Sequence, residues 1–380
     1  MRKFITHIVI FFSPLICFLI PSLLLFYFSS EFFCDIKTLN KANDNRKSLV
    51  GYMRAQENYK KIKFEKALSD NSYDVWALGS STVLQFREQM FSSPFYNFGL
   101  MISPISDVKV FLKTIPKDKL PKIIILGLDQ WMFNEVWVER GNLFKNQNYW
   151  KKSFRFFPNM IDVKHVYSKI FNGELHYFET LKKAINSQNK YGLSALIKNS
   201  GIRFDGSMNY GEKIEFLVNT KNIDYSLEFE DTINRINNGN KRFQYGENPR
   251  QESFAELSEV FDILKKNNVE LISFFTPFSK IVHDKINEAN TRYNYINKSA
   301  EKLNNLFTAN GFEFWDYSNP STIKSNNDEF IDGFHAGELT HAKILFNMSE
   351  NGSAIKKYIN YDSLKNVIKN TKKNKLIIYD

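Results

Sequence analysis

The feature that most limits the fold of this chain is a series of short, almost wholly apolar segments that end at glycine or proline. The clearest is Ile123–Leu126, an unbroken apolar run before Gly127. Such a run is typical of a strand that is buried on both faces of a parallel sheet. Four more segments are predicted to be strands: residues 73–78, 95–99, 269–275 and 312–317.

Helical patterns separate several of these segments. One predicted helix has four apolar residues on a single face: Phe254, Leu257, Phe261 and Leu264. Other helices are predicted at about residues 290–309, with Gly311 as the C-terminal cap, and at 339–346. Strands that alternate with helices predict an α/β fold in which a parallel sheet carries helices on both faces.

The alternation weakens between about residues 140 and 250, where aromatic residues, Asn and Lys dominate. We interpret this stretch as one insertion, which caps the site, in a domain that covers residues 71–345. The polar, lysine-rich residues 31–70 are predicted to form a stalk with helical character. Residues 346–380 are predicted to form a C-terminal tail.

The N-terminal segment is apolar enough to suggest a membrane anchor. Residues 8–28 carry no charge, and roughly 20 apolar residues cross a bilayer core. Arg2 and Lys3 precede the run and favour a cytoplasmic N-terminus, which would leave the rest of the chain outside. A cleaved signal peptide is the alternative, but the run is long for one and no small-residue cleavage site follows it. We therefore predict an anchor over residues 1–30.

Composition excludes some classes of function. The formal net charge is +10, but the lysines are scattered and no nucleic-acid-binding motif is present, so nucleic acid is not an expected partner. The densest basic run, near Lys372, is predicted to be a solvated tail. Cys17 and Cys34 lie in or just after the apolar segment, so the predicted domain has no disulfide framework or cysteine-based zinc site.

Two short motifs suggest a nucleophile and its base. Ser81 follows the first predicted strand in Ala77-Leu78-Gly79-Ser80-Ser81, and His335 ends the segment Asp332-Gly333-Phe334-His335. A serine is a weak nucleophile that needs a neighbouring base, and a carboxylate can orient that base. Ser81 is also predicted to begin a helix, whose dipole would favour an oxyanion. The ordinary alternatives are a helix cap at Ser81 and a polar turn around His335.

Glycines and polar residues after the next strands lie where ligands bind. In open α/β sheets, ligands sit beyond the carboxyl ends of the strands, and Gly99 and Asp129 each follow such an end. Both are candidates for oxyanion contacts, although each also suits an ordinary turn after a strand.

The ordered motifs Gly-Ser-Ser, Asn-Phe-Gly, Gly-Leu-Asp and Asp-Gly-Phe-His resemble the conserved blocks of the SGNH/GDSL hydrolase superfamily. The resemblance covers roughly residues 71–135 and 255–345. It implies a flavodoxin-like three-layer fold, with Ser81 as nucleophile, His335 as base, Asp332 as its orienting carboxylate and Gly99 as an oxyanion contact. It implies no metal and no cofactor.

The chain departs from that superfamily at two positions. Ser80 replaces the usual Asp of Gly-Asp-Ser, and Asp129 stands where the family has Asn. An ionised carboxylate cannot donate a hydrogen bond to an oxyanion, so an ionised Asp129 does not supply the third donor of the family. Gln130 and Asn134 are candidates to replace it.

A Gly-Ser-Ser block after an N-terminal anchor is similar to the D-alanyl transfer protein of lipoteichoic acid biosynthesis. It also resembles the anchored SGNH proteins of polysaccharide O-acetylation, which work beside membrane-bound O-acyltransferases. The resemblance implies a single-pass protein of the bacterial cytoplasmic membrane with a periplasmic or extracellular domain. The expected activity is that of a serine esterase or O-acyltransferase on a cell-envelope polysaccharide or acyl ester. The alternative is a non-catalytic scaffold that binds glycan or the acyltransferase.

The predicted insertion and the residues just before it hold further candidates for substrate contacts. Arg203, in Arg203-Phe204-Asp205-Gly206-Ser207, could contact a sugar or polymer, and the alternative is a salt-linked surface turn. Trp131, Trp137 and Trp150 could stack on sugars, but packing in the core is the more ordinary role for them.

Overall fold

The computed structural model describes residues 2–43, 45–69, 73–137, 154–220 and 222–379. The chain forms two compact units. The N-terminal unit contains residues 1–62, 150–204 and 208–212, and the larger unit contains residues 63–149, 205–207 and 213–380. Part of the predicted insertion, including Trp150, lies outside the described residues.

Strands and helices are numbered in chain order over the described residues. The strands are β1 (Leu49–Val50), β2 (Val75–Leu78), β3 (Phe95–Phe98), β4 (Ile123–Leu128), β5 (Lys190–Tyr191), β6 (Ser200–Arg203), β7 (Met208–Tyr210), β8 (Glu270–Phe275) and β9 (Glu313–Asp316). The α-helices are α1 (Arg2–Phe28), α2 (Ile36–Asn43), α3 (Asn58–Leu68), α4 (Ser106–Thr114), α5 (Met160–Phe171), α6 (Tyr177–Asn186), α7 (Leu193–Lys198), α8 (Glu212–Asn219), α9 (Tyr225–Glu228), α10 (Glu230–Asn238), α11 (Gln251–Lys266), α12 (Lys280–Glu288), α13 (Asn294–Ala309), α14 (Glu338–Glu350) and α15 (Tyr361–Asn370).

The larger unit is built on a five-stranded sheet in the order β3-β2-β4-β8-β9. Every neighbouring pair in this sheet is parallel, which confirms the predicted α/β class. Four of the five strands lie within the predicted segments, and β4 extends two residues beyond its predicted end at Leu126. The order of the strands reverses between β2 and β4, and such a reversal opens a crevice beyond the carboxyl ends of the two strands.

Successive strand residues point to opposite faces of the sheet, so both faces carry side chains of these strands. Both faces are buried by packing against helices. Val75 and Ala77 pack in the same cluster as Leu345 of α14 on one face. On the other face, the ring of Trp76 lies 5.9 Å from that of Phe111 in α4. Helices therefore cover both faces, which explains why β2 and β4 are continuously apolar rather than alternating.

The predicted helices of the larger unit are present with small shifts in their bounds. The four apolar residues predicted to share a face of α11 are all buried: Phe254, Leu257, Phe261 and Leu264. α13 begins at Asn294, after a short 3-10 turn over Asn290–Tyr293. It is followed by Gly311 in a left-handed conformation (φ 75°), as predicted for a helix cap.

The N-terminal unit differs from the predicted simple stalk. It contains a second sheet in the order β5-β1-β6-β7, in which β1 is parallel to β5 and antiparallel to β6. Residues 49–50 of the predicted stalk thus pair with residues from the predicted insertion. The predicted helical character of residues 31–70 is present in α2 and α3. The pairing of β1 was missed because β1 is only two residues long and gives no local strand pattern.

The predicted anchor corresponds to α1, which is 27 residues long. Within the described residues, no helix combines the length and the apolar character needed to cross a membrane. Membrane anchorage and topology stay predictions.

Much of the C-terminal segment is packed rather than forming a solvated tail, although Lys369, Lys372 and Lys373 of the basic run are exposed as predicted. Ile355 and Leu364 are fully buried in the core of the larger unit. The carboxylate of Glu338 accepts hydrogen bonds from the backbone N–H groups of Ile378 and Tyr379 at 2.8 and 3.0 Å. The tail prediction was wrong for the packed residues because isolated apolar residues, spaced among many lysines, are enough to bind this segment to α14.

Candidate active site

Ser81 lies at the turn that follows β2. It begins a 3-10 turn of three residues, and the Ser80 hydroxyl caps that turn by accepting a hydrogen bond from the N–H of Thr82. The predicted helix after Ser81 is absent, so no helix dipole acts on it. The physical reason is that Val83, Leu84 and Phe86 are all buried, which leaves no single apolar stripe for an amphipathic helix.

His335 is held by its own turn. The Asp332 carboxylate accepts a hydrogen bond from the backbone N–H of His335 at 3.0 Å, which closes the turn. Gly333 adopts φ 93° at its centre, and a Cβ there would meet the side chain of Val282 at 2.6 Å. A residue other than glycine would be strained at this position.

The structure brings the three predicted catalytic side chains together. Ser81 Oγ lies 2.8 Å from His335 Nε2, and His335 Nδ1 lies 2.7 Å from Asp332 Oδ2. A carboxylate only accepts hydrogen bonds, so the imidazole proton belongs on Nδ1. The Nε2 lone pair then faces the Ser81 hydroxyl and can accept its proton.

The Asp332 carboxyl is electrostatically suited to orient His335. Burial alone would raise the pKa of Asp332, but the charge and hydrogen bonds of His335 outweigh it and hold that pKa below its usual value. Asp332 is thus ionised at neutral pH and stabilises the imidazolium that forms when His335 takes a proton.

Asp129 is buried at the end of β4 and is held by hydroxyl groups. Its Oδ1 accepts hydrogen bonds from Thr82 Oγ1 at 2.8 Å and Thr276 Oγ1 at 3.4 Å. Burial raises the pKa of the Asp129 carboxyl, although nearby hydroxyls and the charge of Arg242 act in the opposite direction. As a carboxylate, Asp129 accepts hydrogen bonds from the nucleophile's turn and does not replace the missing amide donor.

The backbone N–H of Gly99, a predicted oxyanion contact, already has an acceptor. It donates to the Asn97 side-chain oxygen at 2.8 Å. The Asn97 amide group in turn donates to the carbonyl oxygens of Val83 and Phe86. An oxyanion would have to displace Asn97 to use this N–H. The N–H of Ser81 itself, at the start of its turn, is the remaining candidate, since the first N–H groups of a helical turn lack partners within it.

The other two proposed oxyanion donors are engaged in structural contacts. Asn134 donates to the carbonyl oxygen of Gln244 at 2.6 Å and accepts from the N–H of Val136 at 2.9 Å. Gln130 donates to the carbonyl oxygen of Thr276 at 2.7 Å. Both side chains hold neighbouring loops in place, and neither contacts Ser81.

Arg203 and Asp205 differ from the predicted surface turn. Arg203 ends β6 in the N-terminal unit, where its guanidinium donates to the carbonyl oxygen of Met208. Asp205 belongs to the larger unit and is buried, and its carboxylate accepts from Arg87 Nε at 3.1 Å. Asp205 therefore has a structural role in the core rather than one on an exposed surface.

Aromatic rings line one side of His335. The Phe334 ring centroid lies 4.2 Å from that of His335, and Trp131 contacts Phe334 edge-on at 6.1 Å. The guanidinium of Arg242 lies over Trp131, 5.0 Å from the ring centroid. Trp131 is buried, as its ordinary alternative role predicted, and Trp137 is half-buried.

Sequence reasoning missed several residues that hold the site. Thr82 and Thr276 bind Asp129, and His341 contacts the nucleophile's turn. One available signal was position, because Thr82 and Thr276 follow the carboxyl ends of strands as Ser81 does. His341 gave no comparable signal, since it lies inside α14.

In the described part of the chain, no three His, Cys, Asp or Glu side chains are grouped as the ligands of a metal ion would be. No known protein-family model matches the chain, and no curated protein is significantly similar to it in sequence. The function proposed below therefore rests on the geometry of the site and on the resemblance of its motifs.

Proposed function

We propose that the protein is a membrane-anchored SGNH-type serine esterase or O-acyltransferase that acts on a bacterial cell-envelope polysaccharide. The observation that carries the proposal is the continuous hydrogen-bonded series from Ser81 Oγ through His335 to Asp332, at 2.8 and 2.7 Å. The order of the five parallel strands, 2-1-3-4-5 along the chain, is that of flavodoxin-like folds and supports the SGNH assignment.

In the first step, Ser81 Oγ attacks the acyl carbon of an ester. His335 Nε2 takes the serine proton as the new carbon–oxygen bond forms. The ester bond then breaks, and His335 returns that proton to the departing alcohol. The product is an acyl-serine, and Asp332 stabilises the imidazolium while it exists.

In the second step, His335 Nε2 takes a proton from the acceptor hydroxyl. The acceptor oxygen bonds to the acyl carbon, the Ser81–acyl bond breaks, and the proton returns to Ser81 Oγ. Water as acceptor gives an esterase, and a glycan hydroxyl gives an O-acyltransferase such as an O-acetyltransferase. We favour transfer, because an anchor would hold the site near a membrane-bound O-acyltransferase that supplies the acyl group.

A fluorophosphonate probe tests the nucleophile directly. The full chain in detergent is treated with the probe beside two variants, Ser81→Ala and Ser321→Ala. Ser321 is an exposed serine that follows Pro320, outside the candidate site. We expect labelling of the parent and of Ser321→Ala, and none of Ser81→Ala. Labelling that persists in Ser81→Ala would contradict the proposal.

Release of nitrophenol from p-nitrophenyl acetate separates hydrolysis from transfer. An esterase releases it continuously with water as acceptor, whereas a transferase releases one equivalent and stops until an acceptor alcohol is added. Both results require Ser81, so the Ser81→Ala variant is the reference for background hydrolysis.

A non-catalytic scaffold that binds glycan is the second candidate. It is favoured by the contacts of Gly99 and Asp129, which leave the oxyanion site with fewer donors than the resemblance implies. A folded protein that the fluorophosphonate does not label would support this candidate over the enzyme.

A further inference from the structure

Exposed apolar side chains are concentrated in the N-terminal unit. Two helices of this unit and the segment before them expose large apolar residues that a soluble surface would rarely carry together. These residues form what we call the α5–α6 surface: Phe157 (67% exposed), Met160 (57%), Ile161 (66%), Phe171 (81%), Phe178 (83%) and Ile185 (55%).

Ring contacts join the α5–α6 surface to α1. Phe18 of α1 stacks on Tyr167 with ring centroids 4.3 Å apart, and Tyr167 lies 6.2 Å from Phe171. The Tyr177 hydroxyl donates to the carbonyl oxygen of Pro21 in α1, and its ring lies 5.2 Å from that of Phe178. The two most exposed phenylalanines, Phe171 and Phe178, are thus each connected to the same turn of α1 through one tyrosine.

α1 itself changes from exposed to buried along its length. Phe4 and Phe11 are 69% and 78% exposed, whereas Leu25 and Phe26 are fully buried in the unit. The contacts with Tyr167 and Tyr177 fall at Phe18 and Pro21, between these two parts. The α5–α6 surface therefore lies beside the point at which α1 enters the folded unit.

The charges among these apolar residues are mostly positive. Lys164, Lys182 and Lys183 are exposed on α5 and α6, and Lys183 pairs with the exposed Glu179. On α6, Phe178, Lys182 and Ile185 have i, i+4, i+7 spacing, so aromatic, basic and aliphatic side chains share one face. A face of this composition complements a layer of anionic headgroups above an apolar interior.

We propose that the α5–α6 surface inserts into the headgroup region of an anionic lipid bilayer, so that the N-terminal unit lies on the membrane. The inference does not depend on the chemistry of Ser81. It goes beyond an N-terminal anchor, because it gives the folded unit its own lipid contacts. Phenylalanine and isoleucine side chains enter the acyl boundary, and the lysines extend their charged ends to the phosphate groups.

The composition favours lipid over a protein partner as the occupant. The buried core of a protein interface is depleted in lysine, whereas membrane-surface helices are rich in it. Lys182 lies between Phe178 and Ile185 on the face that would be covered, so a protein partner would have to bury its charge. A bilayer leaves that charge at the headgroups.

Nitroxide labels measure this insertion in the full chain. Cys17 and Cys34 are replaced by Ser, and one cysteine is introduced per variant: Phe171→Cys, Phe178→Cys, Phe11→Cys or Leu227→Cys. Leu227 is the matched control, since it is 68% exposed but belongs to the larger unit. The protein is reconstituted in phosphatidylcholine vesicles with and without phosphatidylglycerol, and accessibility to oxygen and to a water-soluble nickel chelate is measured.

We expect labels at 171 and 178 to be more accessible to oxygen than to nickel, the label at 227 to show the reverse, and phosphatidylglycerol to increase the difference. Nickel accessibility at 171 and 178 equal to that at 227 would overturn the proposal, and so would protection from both reagents, which indicates protein contact. The label at Phe11 reports separately on α1. Lipid exposure at 11 without lipid exposure at 171 and 178 would support the anchor and overturn this inference alone.

Discussion

His341 Nε2 lies 3.0 Å from the main-chain carbonyl oxygen of Thr82, the residue that follows the candidate nucleophile. Its Nδ1 lies 2.9 Å from the carbonyl oxygen of Gly337, two residues after His335. A neutral imidazole has one N–H, so His341 donates a hydrogen bond to only one of these two carbonyl oxygens and is in contact with the other. The buried ring thus packs between the turn that carries Ser81 and the loop that carries His335. A displacement of His341 should therefore change the distance between the candidate catalytic side chains of Ser81 and His335.

The buried state of His341 predicts acid sensitivity. Burial lowers the pKa of His341 to about 4, against the opposing effect of the two carbonyl groups. In the unfolded chain this histidine has a pKa near 6.5. Its contribution to folding stability is therefore fully present above that pH and is lost as the pH falls towards the folded pKa. The loss should approach about 3 kcal/mol near pH 4, from the size of the shift.

Urea unfolding of the parent and of His341→Gln between pH 7.5 and 4 checks this prediction. The variant lacks the titrating group, so its free energy of unfolding should fall less steeply with decreasing pH. The difference in slope should correspond to about one proton fewer bound on unfolding. His176→Gln, at an exposed histidine, is the control and should follow the parent. Equal slopes for the parent and His341→Gln would contradict the assignment.

Asp332→Asn should remove most of the activity while leaving the fold intact. The amide can donate to His335 Nδ1 and so favour the tautomer that carries its proton on Nε2. A protonated Nε2 cannot accept the proton of Ser81. The expected loss in kcat is about 10⁴-fold, as for other triads that lose this carboxylate. Steady-state hydrolysis of a p-nitrophenyl ester measures it.

Asp284→Asn is the matched control for that substitution. Asp284 is also close to a histidine, with its Oδ1 3.6 Å from His283 Nδ1, but it lies on the exposed side of α12. Activity should be unchanged in this variant. A small loss of kcat in Asp332→Asn, comparable to that of the control, would mean that His335 is oriented by something else.

The sheet of the larger unit could be predicted because its signals are local. The apolar run Ile123–Leu126 of β4 precedes Gly127, and the apolar run of β8 is followed by Thr276-Pro277. Such short, continuously apolar runs are typical of buried parallel strands. The same applies to α11, whose apolar residues repeat at helical spacing. Ser81, Asp332 and His335 could be proposed because each lies next to such an element.

The second sheet and the C-terminal packing could not be predicted in this way. β1 and β5 are two residues each, and they pair across more than a hundred positions of sequence. Contacts of that kind depend on the whole fold rather than on local periodicity. The same limit hid the hydrogen bond between Thr82 and Asp129, which are 47 positions apart.

The C-terminal segment is held in place by a buried ionic group. Arg87 Nε lies 3.1 Å from Asp205, its Nη1 lies 2.5 Å from Glu338, and the same Nη1 donates to the carbonyl oxygen of Tyr379. Arg87→Met should cost about 3–5 kcal/mol, because it leaves two buried carboxylates without their cation. Chemical denaturation measures the change in the free energy of unfolding.

A surface pair gives the contrast for Arg87. Lys280 and Asp284 are 2.7 Å apart but well exposed, so Lys280→Met should cost less than about 1 kcal/mol. If Arg87→Met proved as mild as Lys280→Met, the C-terminal residues would be held mainly by their apolar contacts, such as those of Ile355 and Leu364.

Asp129→Asn should make the protein more stable at high pH. Burial raises the pKa of Asp129, so the folded state disfavours its ionised form. For an acid with a raised pKa, stability is greatest below the unfolded pKa of about 4 and is lost as the pH rises towards the folded value. The amide does not titrate. The stability of the variant relative to the parent should therefore be higher at pH 8 than at pH 4, as measured by urea unfolding at both.

The same substitution tests the oxyanion site. The amide oxygen can still accept from Thr82, while the amide nitrogen supplies a donor that the parent carboxylate lacks. If Asp129 lies where the SGNH resemblance puts the third donor, kcat should rise by about tenfold or more, since one such donor is worth about 10²–10³. Asp284→Asn, which changes an exposed carboxylate in the same way, should leave kcat unchanged. Loss of activity in a stable Asp129→Asn protein would instead mean that the carboxylate is needed to hold the nucleophile's turn through Thr82.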